Sequence, residues 1–207
     1  IAADLAIAGG GTQVLDFCAG AGGKTLALSA EMGNHGQIFA HDSEKARLAP
    51  IFDRIRRAGS RNVQVIQPAA LPPLEASMDL VLVDAPCTGS GTWRRRPDSK
   101  WRLTDRQLDQ RRAEQAAILD DAKRFVKPGG RLAYITCSVF REENADQVSA
   151  FLARQPDFRP LDHEDLWRSR FPNHADAALI DPQGGVVLTP ARSGTDGFFC
   201  CILQRMS

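Results

Sequence analysis

Two cysteines follow apolar segments that have the character of buried strands. Cys87 comes three residues after Asp84, the last residue of the segment 79–84, and Cys137 directly follows the segment 131–136. In open α/β sheets, ligands bind outside the carboxyl ends of the strands, so we expect Asp84, Cys87 and Cys137 to share one cleft. Because a thiolate is a good nucleophile, both cysteines are candidates for covalent chemistry. Their spacing alone does not identify which of them attacks a substrate.

The other three cysteines have no comparable position. Cys18, Cys200 and Cys201 are interpreted as thiols of the protein core. No two cysteines have the C-x-x-C spacing, and the total of five is odd. The sequence therefore predicts neither a disulfide framework nor a metal site.

A glycine-rich turn follows the first predicted strand and opens a helix. Residues 16–25 read Asp-Phe-Cys-Ala-Gly-Ala-Gly-Gly-Lys-Thr, and such a turn lets a ligand approach the backbone and helix N–H groups. A phosphate-binding loop would need glycine in place of Cys18, and a dinucleotide-binding turn would need glycine in place of Thr25. Asp42, at the end of the second predicted strand, is a candidate acceptor for ribose hydroxyls. The pattern predicts an adenosyl-type pocket, with a purely structural tight turn as the alternative.

A basic segment lies between Cys87 and Cys137. Residues 94–112 contain eight Lys or Arg and three Asp, a net charge of +5 in a chain whose formal net charge is +1. Trp93 and Trp101 lie beside or within this segment, and arginine with aromatic side chains can hold phosphates and stack on unpaired bases. A solvated helix face is the alternative. The residues that we expect to contact RNA are Arg94, Arg95, Arg96, Lys100, Trp101 and Arg102.

Short apolar runs alternate with segments of helical periodicity along the chain. Most of the runs are too apolar for a half-exposed sheet, which indicates a parallel sheet covered on both faces. The helix before Gly129 and Gly130 is expected to end at this pair. We predict an α/β fold of the doubly wound type, with a mostly parallel sheet and a C-terminal antiparallel hairpin. The predicted strands are 13–17, 37–41, 63–67, 79–84, 131–136, 185–189 and 198–204, and the predicted helices are 23–32, 44–58, 104–126 and 142–154.

The composition is that of one globular domain. The chain has 207 residues, of which 43% are apolar and 25% are charged, and this length allows a substantial core. The sequence has no run of about eighteen apolar residues and no secretory signal, so we expect a cytoplasmic protein. The chain begins at Ile1, without Met and inside a predicted helix. We therefore expect that an upstream part has been removed.

Four sequence elements together resemble a known family. They are the glycine-rich turn, Asp-Ala-Pro-Cys-Thr-Gly-Ser-Gly at 84–91 followed by Thr-Trp-Arg-Arg-Arg-Pro-Asp, Thr-Cys-Ser at 136–138 with Glu-Glu-Asn at 142–144, and Gly-Thr-Asp-Gly-Phe-Phe at 194–199. The chain resembles the Sun (Fmu-like) RNA cytosine methyltransferases over nearly its whole length. The elements around the two cysteines are highly specific, whereas the turn alone would fit many methyltransferases. The resemblance implies a Rossmann-like methyltransferase catalytic domain over residues 1–207.

The resemblance also implies roles for the site residues. Cys137 is expected to add to carbon 6 of the target cytosine so that carbon 5 can accept a methyl group, and Cys87 is expected to assist release of the methylated RNA. Asp84 and Lys24 are expected to hold the polar edge of the cytosine. A nearby positive charge, with Lys24 as a possible source, is expected to favour the thiolate. The implied methyl donor is S-adenosylmethionine, and its expected binding residues are Cys18, Ala19, Gly20, Ala21, Gly22, Gly23, Lys24, Asp42, Gln67 and Asp84.

The implied substrate is RNA, with ribosomal RNA ahead of transfer RNA. We expect a monomer with no metal and no membrane partner. In such folds, the third strand usually ends in an acidic residue that accepts a hydrogen bond from the adenine amino group, and this chain has Gln67 there. Members of the family also have further residues upstream. Two alternatives stay open: an inactive RNA-binding or assembly protein with the same fold, and an amino-group RNA methyltransferase. The intact cysteine pair argues against the first, and a thiol at Cys137 would have no purpose in the second.

Overall fold

The structure, a computed structural model, describes residues 1–8 and 10–207. The chain forms two units: the first contains Ile1–Asp84, Ala122–Ala133 and Arg205–Ser207, and the second contains Ala85–Asp121 and Tyr134–Gln204. The interpretation of residues 1–207 as one catalytic domain stays a prediction. In the described part of the chain, no helix combines the length and the apolar composition that crossing a membrane requires.

The first unit is built on parallel strands. Its elements are α1 (Ala2–Ile7), β1 (Gln13–Asp16), α2 (Gly23–Glu31), β2 (Gln37–Ala40), α3 (Lys45–Leu48), α4 (Ile51–Ala58), β3 (Val63–Val65), β4 (Met78–Asp84) and the start of β5 (Val126–Thr136). The strand order is β3-β2-β1-β4-β5, and β1 pairs in parallel with both β2 and β4. Val14 of β1 lies opposite Ile38 and Leu80, and all three side chains are fully buried. The predicted parallel arrangement is confirmed.

The second unit contains the antiparallel strands. Its elements are α5 (Ser99–Arg102), α6 (Asp105–Ala122), the end of β5, α7 (Ala145–Arg154), β6 (Phe158–Pro160), α8 (His163–Arg170), β7 (Leu179–Ile180), β8 (Val186–Leu188), α9 (Pro190–Ser193) and β9 (Phe198–Arg205). β9 pairs with β5, β6 and β8, and the β7–β8 and β8–β9 pairings are antiparallel. The predicted C-terminal hairpin is confirmed, and α9 lies in its connection.

The predicted helix 44–58 is interrupted at Pro50. α3 ends at Leu48, and α4 begins at Ile51 directly after the proline. Proline has no N–H to donate, and its ring clashes with the carbonyl group four residues earlier in a continuous helix. The prediction of one uninterrupted helix is therefore wrong.

The pair Gly129 and Gly130 lies within β5 and does not end a helix. α6 ends at Ala122, a short 3₁₀ helix covers Lys123–Phe125, and β5 begins at the next residue. Gly129 has φ +73°, and a Cβ on Gly130 would lie 2.8 Å from the carbonyl oxygen of Met78 at the start of β4. The glycines therefore allow the backbones of β4 and β5 to approach closely, and the prediction that they end the helix is wrong.

Candidate active site

In the first unit, the glycine-rich turn joins β1 to α2. Gly20 and Gly22 have φ of +51° and +79°, a conformation that residues with a Cβ rarely adopt. A Cβ on Gly22 would also lie 2.4 Å from Cγ1 of Ile51 in α4. The N–H of Ala19 donates to the carbonyl oxygen of His41 at 2.8 Å, which holds the turn at the end of β2. Glycine is therefore the residue best suited to both positions.

Asp42 contacts the same turn. Its Oδ2 accepts from the N–H of Gly20 at 3.0 Å, its Oδ1 accepts from the N–H of Glu44 at 2.9 Å, and the residue is 4% exposed. Each carboxylate oxygen has capacity for a second hydrogen bond. Asp42 thus braces the turn, which the sequence did not predict, and can still accept from the hydroxyl groups of a ligand.

The other residues predicted to contact the cofactor differ in exposure. Cys18 is half-buried, and burial raises the pKa of its thiol, so this side chain stays protonated. Ala19 is buried, whereas Ala21 and Gly23 are exposed. Gln67 is exposed and lies just beyond β3, before a short 3₁₀ helix.

Asp16, at the end of β1, is a candidate site residue that was not predicted from the sequence. It is fully buried, and its Oδ2 accepts from the hydroxyl of Thr25 at 2.6 Å. Its Oδ1 has no hydrogen-bond partner among the described residues, and burial raises the pKa of Asp16 to about 7. A buried oxygen without a partner is costly unless a ligand or water satisfies it, so Asp16 is suited to receive a donor group. The available signal was the carboxylate at the carboxyl end of an otherwise buried strand.

Lys24 and Asp84 form an ion pair in the first unit. Their Nζ and Oδ2 atoms are 2.5 Å apart, and the two side chains are 28% and 36% exposed. Lys24 lies in the first turn of α2, and Asp84 is the last residue of β4. The structure thus brings these two predicted site residues together, with both charges accessible to a ligand.

In the second unit, the thiols of Cys87 and Cys137 lie side by side. Their sulfur atoms are 3.3 Å apart, and Cys137 is exposed whereas Cys87 is half-buried. A disulfide bond has a length of about 2.05 Å, so the observed distance corresponds to an S–H···S hydrogen bond. No disulfide is present in the described part of the chain.

The two thiols have different electrostatic surroundings. The hydrogen bond to Cys137, together with burial, raises the pKa of Cys87 well above its ordinary value, which favours the protonated form of this thiol. Either sulfur can be the donor in the pair. Arg95 has a raised pKa, mainly because of its hydrogen bond to Asp196 and in a smaller part because of its electrostatic interaction with Cys137. A positive group that interacts with Cys137 favours the thiolate there. The sequence reasoning did not connect Arg95 with this thiol.

The sequence elements of the second unit meet at Gly91. The N–H of Gly91 donates to the carbonyl oxygen of Cys137 at 3.0 Å, and the N–H of Gly197 donates to the carbonyl oxygen of Gly91 at 2.8 Å. A Cβ on Gly91 would lie 2.0 Å from the carbonyl oxygen of Gly197. The hydroxyl groups of Ser90 and Ser138 are 2.9 Å apart. Close backbone contact and short side chains therefore hold the segments of Cys87 and Cys137 together.

A buried carboxylate anchors the loop that carries Cys87. Oε1 of Glu143 accepts from the N–H of Thr88 at 2.8 Å and from the amide of Gln115 at 3.0 Å, and Oε2 accepts from the Thr88 hydroxyl at 2.5 Å. The Gln115 amide is also 3.0 Å from the carbonyl oxygen of Pro86. Glu143 is fully buried. The sequence reasoning noted its motif, Glu-Glu-Asn at 142–144, but gave the residue no role.

The basic segment is exposed. Arg94 and Arg95 both pair with Asp196, and Nζ of Lys100 lies 4.5 Å from the ring centroid of Trp101. The Trp101 side chain is 80% exposed, and an exposed aromatic ring among basic side chains is typical of surfaces that stack on unpaired bases. All six residues predicted to contact RNA are exposed: Arg94, Arg95, Arg96, Lys100, Trp101 and Arg102.

Comparisons with known proteins identify relatives along most of the chain. Residues 5–204 match the family described as 16S rRNA methyltransferase RsmB/F. The ribosomal RNA small subunit methyltransferase B of Klebsiella pneumoniae (strain 342) is 40% identical over 151 residues, which cover 71% of this chain and 35% of the relative. The chain thus spans 35% of the length of this curated relative.

Solved structures share the fold. The crystal structure of PH0851 has a TM-score of 0.81 at 33% identity, and the match covers 99% of this chain and 46% of that chain. The structure of NSun6 from Pyrococcus horikoshii with SFG has a TM-score of 0.78 at 24% identity, and the match covers 100% of this chain and 52% of that chain. The predicted Rossmann-like methyltransferase fold is confirmed. Because the family match extends over nearly the whole chain, the chain belongs to the RsmB/F family of 16S rRNA methyltransferases.

Proposed function

We propose that this chain is the catalytic part of an S-adenosylmethionine-dependent methyltransferase that forms 5-methylcytosine in ribosomal RNA. The observation that carries the proposal is the thiol pair, in which an exposed Cys137 lies 3.3 Å from a half-buried Cys87. Methylation of a nitrogen has no use for such a pair, whereas methylation at carbon 5 needs a covalent nucleophile. The family and the relative's name support ribosomal RNA as the substrate. This substrate agrees with the cytoplasmic location expected from the sequence.

The residues of the first unit fit S-adenosylmethionine. Ala21 and Gly23 of the glycine-rich turn are exposed, and Asp42 has acceptor capacity for two ribose hydroxyls. The unpartnered Oδ1 of Asp16 suits the ammonium group of the amino-acid part. When bound, this cofactor supplies an electrophilic methyl group on a sulfonium. We assign residues 18–24, Asp42, Gln67 and Asp84 to its binding.

The second unit carries the covalent chemistry. The Cys137 thiolate adds to carbon 6 of the cytosine, and the electron pair that moves to carbon 5 would form the new bond to the methyl group while the bond between that methyl group and the sulfonium sulfur breaks and leaves its electron pair on the sulfur. Transfer of the carbon 5 proton to a water or hydroxide of the solvent then restores the double bond between carbons 5 and 6 and expels the Cys137 sulfur as a thiolate. The S–H of Cys87 donates to this sulfur and stabilises it as it leaves.

The charged pair Lys24 and Asp84 is assigned to the polar edge of the target cytosine. The ammonium of Lys24 can donate to the carbonyl oxygen of the base, and the carboxylate of Asp84 can accept from its amino group. The basic segment with Trp101 is assigned to the RNA around the target, through phosphate contacts and stacking.

The proposal is tested by identifying the modified nucleoside. The intact protein is incubated with labelled S-adenosylmethionine and unmodified ribosomal RNA. The RNA is then digested, and the labelled nucleoside is identified by mass spectrometry. We expect 5-methylcytidine. Label on an exocyclic amine would support the amino-group alternative, and the absence of transfer with retained RNA binding would support the RNA-binding alternative.

Substitutions of the two cysteines test their separate roles. Cys137→Ala is expected to reduce methyl transfer to background, whereas Cys87→Ala is expected to accumulate a covalent protein–RNA adduct that survives denaturing electrophoresis. Cys201→Ala, which removes a buried thiol from β9, is the control and should turn over without an adduct. An adduct that requires Cys87 and forms without Cys137 would reverse the assignment.

A further inference from the structure

The second unit contains a polar cavity on the side of Cys87. Its volume is about 310 Å³, and Cys87 and Thr88 line one end of it. Residues from the end of α5 and the first turns of α6 line the rest, among them Arg102, Gln107 and Arg111. This volume is at the lower end of small-molecule sites, which begin at roughly 300 Å³. A cavity of this size suits a single nucleotide rather than a longer segment of RNA.

The cavity favours an anion. Two guanidinium groups line it, and none of its lining residues in the described part of the chain is acidic. Arg102 pairs with Asp98, and Arg111 pairs with Glu114 at 2.5 Å, but the two arginine side chains are 73% and 41% exposed. Exposed ion pairs contribute at most about 1 kcal/mol, so a phosphate can compete for both guanidinium groups.

Two glutamine amides supply uncharged donors and acceptors. Oε1 of Gln107 accepts from the N–H of Thr104 at 3.0 Å, which leaves its NH₂ group to donate into the cavity. Nε2 of Gln110 donates to Glu114 at 2.9 Å, which leaves its carbonyl oxygen to accept. Amide groups of this kind can pair with the edge of a nucleobase.

The position of Cys87 connects the cavity with the reaction. Cys87 lines the cavity, and its sulfur lies 3.3 Å from the sulfur of Cys137. A base bonded to Cys137 therefore has the cavity as its neighbour. Cys137 itself does not line the cavity, which makes this space distinct from the point of attack.

We propose that this cavity binds the nucleotide next to the target cytosine in the RNA strand. Arg102 and Arg111 hold its phosphate, and Gln107 and Gln110 contact its base, so the cavity contributes to the choice of sequence context. This inference rests on the proposed function, because it requires that Cys137 attacks a cytosine in RNA.

The test uses the intact protein and three RNA substrates. One contains nucleotides on both sides of the target cytosine, and the other two end at the target, one lacking the 5′ neighbour and one lacking the 3′ neighbour. Arg111→Gln is expected to raise the KM of the complete RNA about 10-fold. On one of the two shortened RNAs, wild-type protein and Arg111→Gln should have the same kcat/KM, because the contact is already absent.

Arg154→Gln is the matched control. Arg154 also pairs with an acid, Asp120, and its side chain is 42% exposed, against 41% for Arg111, but it lies in α7 and does not line the cavity. It should behave as wild type on all three substrates. Gln107→Glu keeps the acceptor for Thr104 and removes the N–H donors, so it should change the preferred base at the neighbouring position.

The outcomes separate the two proposals. If wild-type protein methylates no RNA at carbon 5 of cytosine, the proposed function fails. If wild-type protein is active but Arg111→Gln matches it on the complete RNA, or has the same defect on all three RNAs, the cavity does not bind the neighbouring nucleotide. Thermal unfolding of each variant shows whether a loss of activity reflects a loss of folded protein.

Discussion

Glu143 shows how a single buried residue can control a reactive loop. Its carboxylate is fully buried and accepts hydrogen bonds from two uncharged residues, Thr88 and Gln115. Thr88 directly follows Cys87. The bonds to Glu143 therefore fix the backbone that aims the Cys87 thiol.

We predict that Glu143→Ala lowers the free energy of unfolding by about 3 kcal/mol, because buried donors on Thr88 and Gln115 lose their acceptor. Glu143→Gln, which keeps one acceptor oxygen, should lose about 1 kcal/mol. Urea unfolding measures both values. Because the Cys87 loop is displaced, Glu143→Ala should also accumulate the covalent protein–RNA adduct expected for Cys87→Ala.

Val148→Ala is the control for this prediction. Val148 is fully buried in α7 of the same unit, and its truncation is expected to cost a few kcal/mol at most without touching the Cys87 loop. It should form no adduct. An adduct of equal yield in Val148→Ala would mean that lost stability, and not the position of the loop, causes the release defect.

The residues around the thiols were predictable to different degrees. Cys87 and Cys137 stand at strand ends, so the alternation of strands and helices was sufficient to bring them together. Glu143 is 55 residues from Thr88, and no periodicity relates two positions that meet through tertiary packing. The raised pKa of Cys87 was equally hidden, since burial and hydrogen bonding exist only in the folded chain.

At the scale of elements, the turn between β1 and α2 requires glycine at position 22 more strongly than at position 23. Gly22 has φ +79° and faces Ile51 of α4, whereas Gly23 has no heavy atom within 4 Å of an added Cβ. Gly22 precedes α2, and Gly23 is its first residue.

We predict that Gly22→Ala lowers the free energy of unfolding by about 2–4 kcal/mol, from backbone strain and from the clash with Ile51. Gly23→Ala should be neutral or slightly stabilising, because alanine favours a helix. Urea unfolding compares the two variants. Equal losses of stability in the two variants would contradict the conformational requirement at Gly22. Calorimetry with S-adenosylmethionine separately measures whether either variant weakens cofactor binding.

The boundaries of elements were less predictable than their existence. Apolar periodicity located β1, β2 and β4 to within one residue, because burial on both faces leaves a clear pattern. The short element α8 lies in a stretch for which neither a strand nor a helix was predicted. Its start is fixed by Asp162, whose side chain accepts from the N–H of Asp165 at 3.0 Å. A capping aspartate is a weak signal when few apolar residues follow it at helical spacing.

At the scale of the whole molecule, Asp79 joins distant parts of the first unit. Its Oδ2 accepts from the N–H groups of Thr12 and Gln13 at 2.7 and 2.9 Å, and its Oδ1 pairs with Lys127. Partial burial opposes ionisation of Asp79, but the hydrogen bond from Lys127 and those from the two backbone N–H groups outweigh it. They lower the pKa of Asp79 to about 2.

The ionisation of Asp79 makes the free energy of unfolding depend on pH. Because the folded pKa is below the unfolded value of 3.8, the contribution is complete above about pH 4 and is lost as the pH falls toward 2, with a size of about 2 kcal/mol. Asp79→Asn should therefore be less stable than wild type at pH 6, and the difference should vanish near pH 2. Urea unfolding across this range measures it.

Asp53→Asn is the charge-matched control, since Asp53 is exposed and pairs with Arg56 on the same helix. Its difference from wild type should stay below about 1 kcal/mol at every pH. A pH-independent difference for Asp79→Asn would show that the lost contacts are not those of an ionised carboxylate.

The two units are not encoded by contiguous segments of the gene, because the chain passes between them several times. The backbone passes from one unit to the other after Asp84, Asp121, Ala133 and Gln204, and β5 contributes to both units. No single cut in the gene separates the part assigned to the cofactor from the part with the thiols. The two units of this chain therefore cannot be exchanged between genes as contiguous segments.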